Sequence, residues 1–148
     1  MSIKKLLLLI GLSMWMVGCS TTNSTDLPTG QKESATQLGV RYLLGRGVPQ
    51  DQAKAFAYFK EAADDNDPFA QNEVAYLYAA GKGTTQNYTQ AFKYYQKAAN
   101  QGLASAQYNL GLFYAKGLGV PQNQTLAKQW FEKSASHGFE PAKQALTQ

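Results

Sequence analysis

Leu110 to Gly138 reads LGLFYAKGLGVPQNQTLAKQWFEKSASHG, and close variants of this stretch occur twice more in the chain. A shift of 36 residues lays Gly45, Gly81 and Gly117 on one another, and with them Gly47, Gly83 and Gly119. The same shift superposes Leu38, Val74 and Leu110; Gly39, Ala75 and Gly111; Tyr42, Tyr78 and Tyr114; Ala55, Ala91 and Ala127; Phe59, Tyr95 and Phe131; and Ala63, Ala99 and Ala135. Self-similarity at a fixed period of this size marks an architecture in which one supersecondary unit is copied and stacked.

Each unit divides into two stretches of helical spacing, the first around Leu38 to Leu44 and the second around Ala53 to Ala63, joined by a Gly-rich turn. The first Gly of each Gly-x-Gly follows the last apolar-periodic residue, where a helix commonly ends in a left-handed residue. Asp51, Asn87 and Asn123 stand just before the second helix, where a short polar side chain accepts a free backbone N–H. Asn66, Gly102 and Gly138 mark the end of that helix, and Asp67 followed by Pro68 opens the next one as a cap with Pro in the first turn. Gly39, Ala75 and Gly111 let a partner helix come close, while Tyr42, Tyr78, Tyr114 and the pairs Tyr58/Phe59, Tyr94/Tyr95 and Trp130/Phe131 fill the remaining space. A single hairpin cannot bury its apolar face, so the units must stack. The reading is an all-α solenoid of three helix-turn-helix units, 34–69, 70–105 and 106–141, with 142–148 as a partial C-terminal capping turn.

With its Leu-Gly, Tyr, Gly-x-Gly-Val, Ala, Trp-Phe and closing Gly positions, the stretch quoted above resembles a Sel1-like repeat, a relative of the tetratricopeptide class, and the likeness spans roughly residues 34 to 141. Thr84 and Thr85 depart from the Val-Pro seen at Val48/Pro49 and Val120/Pro121; Gln90 and Leu126 replace the Lys found at Lys54; Ser134 replaces an Ala. The resemblance implies a right-handed superhelix, adaptor or scaffold roles in protein complexes of bacterial envelopes, and no shared catalytic residue. Cysteine-rich members of the class brace their units with disulfides and are linked to cell-wall substrates. The repeats here contain no cysteine, so that part of the analogy does not carry over.

The N-terminus has a different character. Lys4 and Lys5 precede an apolar run from Leu6 to Val17, the pattern of a signal-peptide core and shorter than the roughly 20 residues of a membrane span. Met16, Val17, Gly18 and Cys19 resemble the bacterial lipobox, which implies cleavage after residue 18 and acylation of Cys19, with a palmitate-type chain among its lipids. Each buried methylene contributes about 0.8 kcal/mol, so several chains anchor a protein to a membrane without a spanning helix. Ser20 after the cysteine, in place of Asp, points by the same analogy to an outer membrane, with the domain in the periplasm. Residues 19–33 are polar, carry one Pro and one Gly, and read as a tether.

The composition excludes several classes of function. Lys and Arg number 14 against 10 Asp and Glu, and loss of Lys4 and Lys5 with the signal leaves 12 against 10. These scattered charges form no polyanion-binding stripe, so no nucleic-acid partner is expected. Cys19 is the one cysteine and His137 the one histidine, and His137 occupies the variable position of Asp65 and Gln101. No catalytic set, metal or cofactor is expected from this inventory. The turns GRGVPQD, GKGTTQN and GLGVPQN lack the Lys-Ser/Thr of a phosphate loop and recur with the repeat, and Asp64, Asp65 and Asp67 lack the ligand spacing of a calcium loop.

Tetratricopeptide solenoids line a groove with the first helix of each pair, and the resemblance transfers that role by register to Thr36, Val40 and Leu43; Asn72, Tyr76 and Ala79; and Tyr108, Leu112 and Ala115. Exposed apolar and aromatic side chains of this kind mark protein contacts. The spacing equally allows Tyr76 and Tyr108 to complete the core. The function expected is a monomeric, non-catalytic adaptor that binds another envelope or secreted protein. Two other readings stand beside it: an immunity protein that neutralises a delivered toxic lipase, and a cell-wall enzyme or muropeptide binder.

Overall fold

The computed structural model describes residues 32–147, and the signal segment, Cys19 and the tether as far as residue 31 lie outside them. The described residues form seven helices and no strand: α1 (Ala35–Leu44), α2 (Gln52–Asp64), α3 (Pro68–Ala80), α4 (Tyr88–Asn100), α5 (Ala104–Lys116), α6 (Gln124–Ser136) and α7 (Glu140–Ala145). Packing is most extensive within the hairpins α1–α2, α3–α4 and α5–α6, and each hairpin then packs on the next through α2–α3, α4–α5 and α6–α7. The result is the expected α-solenoid. Its last helix starts at Glu140, two residues before the capping segment read from the sequence, and Pro141 sits in its first turn.

The turn inside each hairpin is built identically three times. Gly45, Gly81 and Gly117 take the left-handed conformation at φ 68°, 66° and 67°. The backbone N–H of each glycine and of the residue after it return to the carbonyls of Arg41, Leu77 and Phe113. Asp51, Asn87 and Asn123 cap the second helices by accepting the N–H groups of Lys54, Gln90 and Leu126 at 2.9, 3.0 and 2.9 Å. Their own N–H groups donate to Tyr42, Tyr78 and Tyr114. A third element closes the turn: the side-chain amides of Gln50, Gln86 and Gln122 donate to the carbonyls of Leu43, Ala79 and Ala115 at 2.7, 2.8 and 2.8 Å. The otherwise unmatched carbonyls at a helix end are satisfied without relying on water.

Units are joined by a second set of repeated contacts. Gln71, 1% exposed, donates to the carbonyl of Ala63 at 3.3 Å and to Asn66 at 3.1 Å, tying the end of α2 to α3. Gln107 does the same one unit on, donating to Ala99 at 3.2 Å. Gly83 presses against the start of α2, where a Cβ would lie 2.1 Å from the carbonyl oxygen of Gln52. Gly119 presses on Tyr88 in the same way, at 2.5 Å. Ser134, the departure from Ala, is fully buried and donates its hydroxyl to the Ala104 carbonyl at 2.7 Å. The substitution therefore adds a bond between α6 and α5.

The core runs unbroken through the stack. Phe59, Val74, Leu77 and Leu110 are fully buried, with Ala55, Ala70, Ala91 and Ala106 letting the helices approach. Gly39 and Gly111 lie directly beneath the rings of Phe59 and Phe131, which a Cβ would meet at 2.8 and 2.6 Å. Aromatics, all half-buried except the buried Tyr94, line a neighbouring layer: Tyr42 stacks on Tyr58 and Tyr78 on Tyr94, while Phe56 meets Tyr78 and Phe92 meets Tyr114 edge-on across units.

Candidate partner-binding face on the first helices

The first helices α1, α3 and α5 carry every position of the expected binding stripe, and the structure gives those positions different surroundings. Thr36 is half-buried and donates its hydroxyl to Oδ2 of Asp67 at 2.5 Å. Oδ1 of Asp67 accepts the N–H groups of Phe69 and Ala70 at the start of α3, so Thr36 steadies a helix cap. Val40 and Leu43 are half-buried and pack against the core. On α3, Asn72 is only 8% exposed, whereas Tyr76 is 40% exposed and its hydroxyl accepts the ammonium of Lys82 at 2.7 Å. On α5, Tyr108 is half-buried, with its ring centroid 5.5 Å from those of Phe131 and Phe139.

Leu112 lies one turn beyond Tyr108, and together with Ala115 and Phe131 the two line a cleft of about 300 Å³. Pro141, Gln144 and Ala145 of α7 close its far side. The amides of Gln122 and Gln124 both donate to the carbonyl of Ala115, one of the residues that line the cleft.

The structure adds two residues that the stripe left out. Glu73 accepts the Asn72 amide at 3.1 Å, and Asn72 in turn accepts the amide of Asn109 at 3.2 Å, so α3 and α5 are bridged by a polar relay. Gln37, Glu73 and Asn109 coincide under the 36-residue shift. A polar residue kept one position after the stripe in all three first helices was the signal that could have found them. Burial pushes the Glu73 carboxyl above its ordinary value, and the Asn72 hydrogen bond only partly offsets this. The hydroxyl of Tyr95, beneath the same region, is held above the ordinary tyrosine range by burial first and by the charges of Glu73 and Tyr76 second.

Elsewhere the polar groups have structural partners. Nδ1 of His137 lies 3.0 Å from Oε1 of Gln107, the same bond that Gln101 makes to Gln71 at 2.8 Å. Because the Gln107 oxygen only accepts, Nδ1 carries the hydrogen. Asp64 pairs with Lys60 at 2.6 Å. Among the described residues, no group of three or more His, Cys, Asp or Glu is placed to hold a metal ion, and no helix is long and apolar enough to cross a membrane.

The repeat frame, the turn chemistry and the stacking can be set beside known proteins. The Sel1 repeat family model matches three times in succession, at residues 32–67, 68–103 and 104–139, two residues out of phase with the frame used above. A Sel1 repeat protein from Oxalobacter formigenes of known crystal structure is 41% identical, over 76% of this chain and 85% of that one, with a TM-score of 0.70. A protective antigen of uropathogenic Escherichia coli strains with an SLR fold is 36% identical over 70% of this chain but only 22% of its own length, with a TM-score of 0.69. Helicobacter pylori cysteine-rich protein B is 25% identical over 76% of this chain and 88% of that one, with a TM-score of 0.66. No curated protein matches. Three consecutive matches that follow the helical hairpins through the described residues leave one assignment: the chain belongs to the Sel1 repeat family.

Proposed function

We propose that this protein is a lipid-anchored, non-catalytic binding module of a bacterial envelope, which holds a segment of another envelope or secreted protein against α3 and α5. Sel1 repeat proteins are protein-interaction scaffolds, and the observation that carries the reading to a particular face is the cleft beside Leu112. It combines the apolar side chains of Leu112, Phe131, Pro141 and Ala145 with polar surface that includes Gln144, and the exposed ring of Tyr76 lies one unit away on the same set of helices. Apolar and tyrosine surface rimmed by polar groups is the composition of protein contact sites. Anchoring is supported by the sequence from Lys4 to Cys19, and the absence of Asp at Ser20 favours the outer membrane with the domain facing the periplasm. A tether of the length of 19–33 lets the domain reach partners away from the lipid surface.

The test is capture from crosslinked envelopes of the native host, comparing the wild type with Tyr76→Ala plus Leu112→Ala. Tyr108 is left intact because it packs on Phe131 and Phe139. A discrete partner that the double variant loses supports the reading; equal recovery by both proteins moves binding to another face. The anchor has its own test. Cys19→Ser should leave an uncleaved precursor that takes up no labelled fatty acid, and labelling that survives the change refutes acylation at Cys19.

A further inference from the structure

Glu73 is a carboxylate held where a carboxylate is costly. It is half-buried on α3, and burial outweighs the single hydrogen bond that favours its ionised form. Glu33, Asp51, Asp64, Glu132 and Glu140 each lie within 4.0 Å of a Lys or Arg nitrogen. Among the described residues Glu61, Asp65, Asp67 and Glu73 form no ion pair; of these Glu61 and Asp65 are exposed and Asp67 caps a helix, whereas Glu73 is half-buried without a capping role. Lys82 is engaged with the hydroxyl of Tyr76, one turn along α3 from Glu73.

The carboxylate is nonetheless fixed in place. Asn72 donates to one oxygen, and Asn109 of the following unit fixes Asn72, so the group is aimed by neutral amides that leave its charge uncompensated. A structural role would be filled as well by a third amide, as Gln37 and Asn109 at the equivalent positions illustrate. What the acid adds is a preorganised, partly desolvated negative charge beside exposed tyrosine surface, and a charge-assisted hydrogen bond from a cation gains strength in those surroundings. A guanidinium or ammonium arriving on a partner offsets the penalty that burial imposes on Glu73 when it also hydrogen-bonds the carboxylate.

We infer that Glu73, aimed by Asn72 and Asn109 across the α3–α5 seam, is the anchoring site for an Arg or Lys side chain of the peptide segment that occupies this face. The inference rests on the proposed binding role and names the chemistry of the partner: a basic residue at Glu73.

The experiment is selection of random short peptides displayed on phage, run in parallel on the detergent-solubilised full-length protein and on its Glu73→Gln variant. The variant keeps the shape and the hydrogen bond from Asn72, and a thermal melt checks that it is folded. The expected result is a wild-type consensus with one fixed Arg or Lys that the variant no longer selects. A synthetic peptide of that consensus should bind Glu73→Gln about tenfold or more weakly, the factor associated with one hydrogen bond to a charged group. A consensus without a basic position, or one shared by both proteins, overturns the inference and leaves the binding face standing. If neither protein enriches any peptide, the peptide-binding reading fails and the inference falls with it.

Discussion

The second and third repeats are one scaffold carrying two different linings. At scaffold positions they agree nearly atom for atom: Gly83 and Gly119 both press on the preceding unit, and Gln86 and Gln122 both cap a first helix. Gln71 and Gln107 both tie back to the helix before. Along the first helix they part. Asn72, Glu73 and Tyr76 in the second repeat stand where the third has Tyr108, Asn109 and Leu112, and in the third repeat Tyr108 and Leu112 line the cleft. Much of what survives the 36-residue shift is architecture, and the first-helix positions that break it lie on the face proposed to meet a partner.

The largest effect that can break this comparison lies in the turns. Gly83→Ala meets two penalties, a left-handed backbone at φ 70° and a Cβ driven into the Gln52 carbonyl and the Ala53 nitrogen. Gly47, at the same φ with nothing within 4 Å, meets only the first. Denaturant unfolding should show a loss of about 1–2 kcal/mol for Gly47→Ala and at least about 3 kcal/mol for Gly83→Ala. Equal losses would mean that the contact between units does not hold the second glycine in place.

Next comes the buried amide ladder. Gln71→Ala removes a buried side chain together with its bonds to the Ala63 carbonyl, Asn66 and Gln101, although the Ala63 carbonyl keeps the Asn66 N–H and the Gln101 amide keeps Oδ1 of Asn66. It should cost about 2 kcal/mol, with Gln107→Ala costing a comparable amount. The exposed caps should matter less: Gln86→Ala or Gln122→Ala is expected to lower stability by about 1 kcal/mol each. If one member of either pair proves silent, the two repeats are not equivalent as scaffolds.

The smallest effect carries a sign. The folded state holds the Glu73 proton more tightly than the unfolded chain does, because burial raises its pKa above the ordinary 4.5. Below that value both states are protonated and nothing is lost; as the pH rises, the unfolded chain ionises first and the fold is weakened until Glu73 itself ionises. Glu73→Gln should therefore melt higher than the wild type at pH 7 and at the same temperature at pH 3. A variant that melts lower at pH 7 would show that the ionised carboxylate stabilises the fold.

Much of this was legible in the sequence because the determinants are local and repeated. The glycine ends, the Asp51, Asn87 and Asn123 caps and the Asp67–Pro68 start follow from what those side chains and backbones can do alone. The glutamine ladders obey the same period but were hidden, since a polar residue that recurs can equally mark a solvated face until a carbonyl is seen opposite it. The lining was least legible. Whether Asn72 is buried, whether Tyr76 is open and whether Leu112 borders a cleft depend on neighbouring units and on α7, which lie a full repeat away in the chain.

The most direct test of the central claim places a photo-crosslinking residue at position 76 or 112 on the first helices, and in parallel at Lys93 or Lys128, which are exposed on the second helices. Irradiation in the native envelope should give a discrete adduct of defined mass from positions 76 and 112 and none from 93 or 128. A discrete adduct from the second helices, with none from the first, would contradict the assignment of binding to the face where the repeats differ.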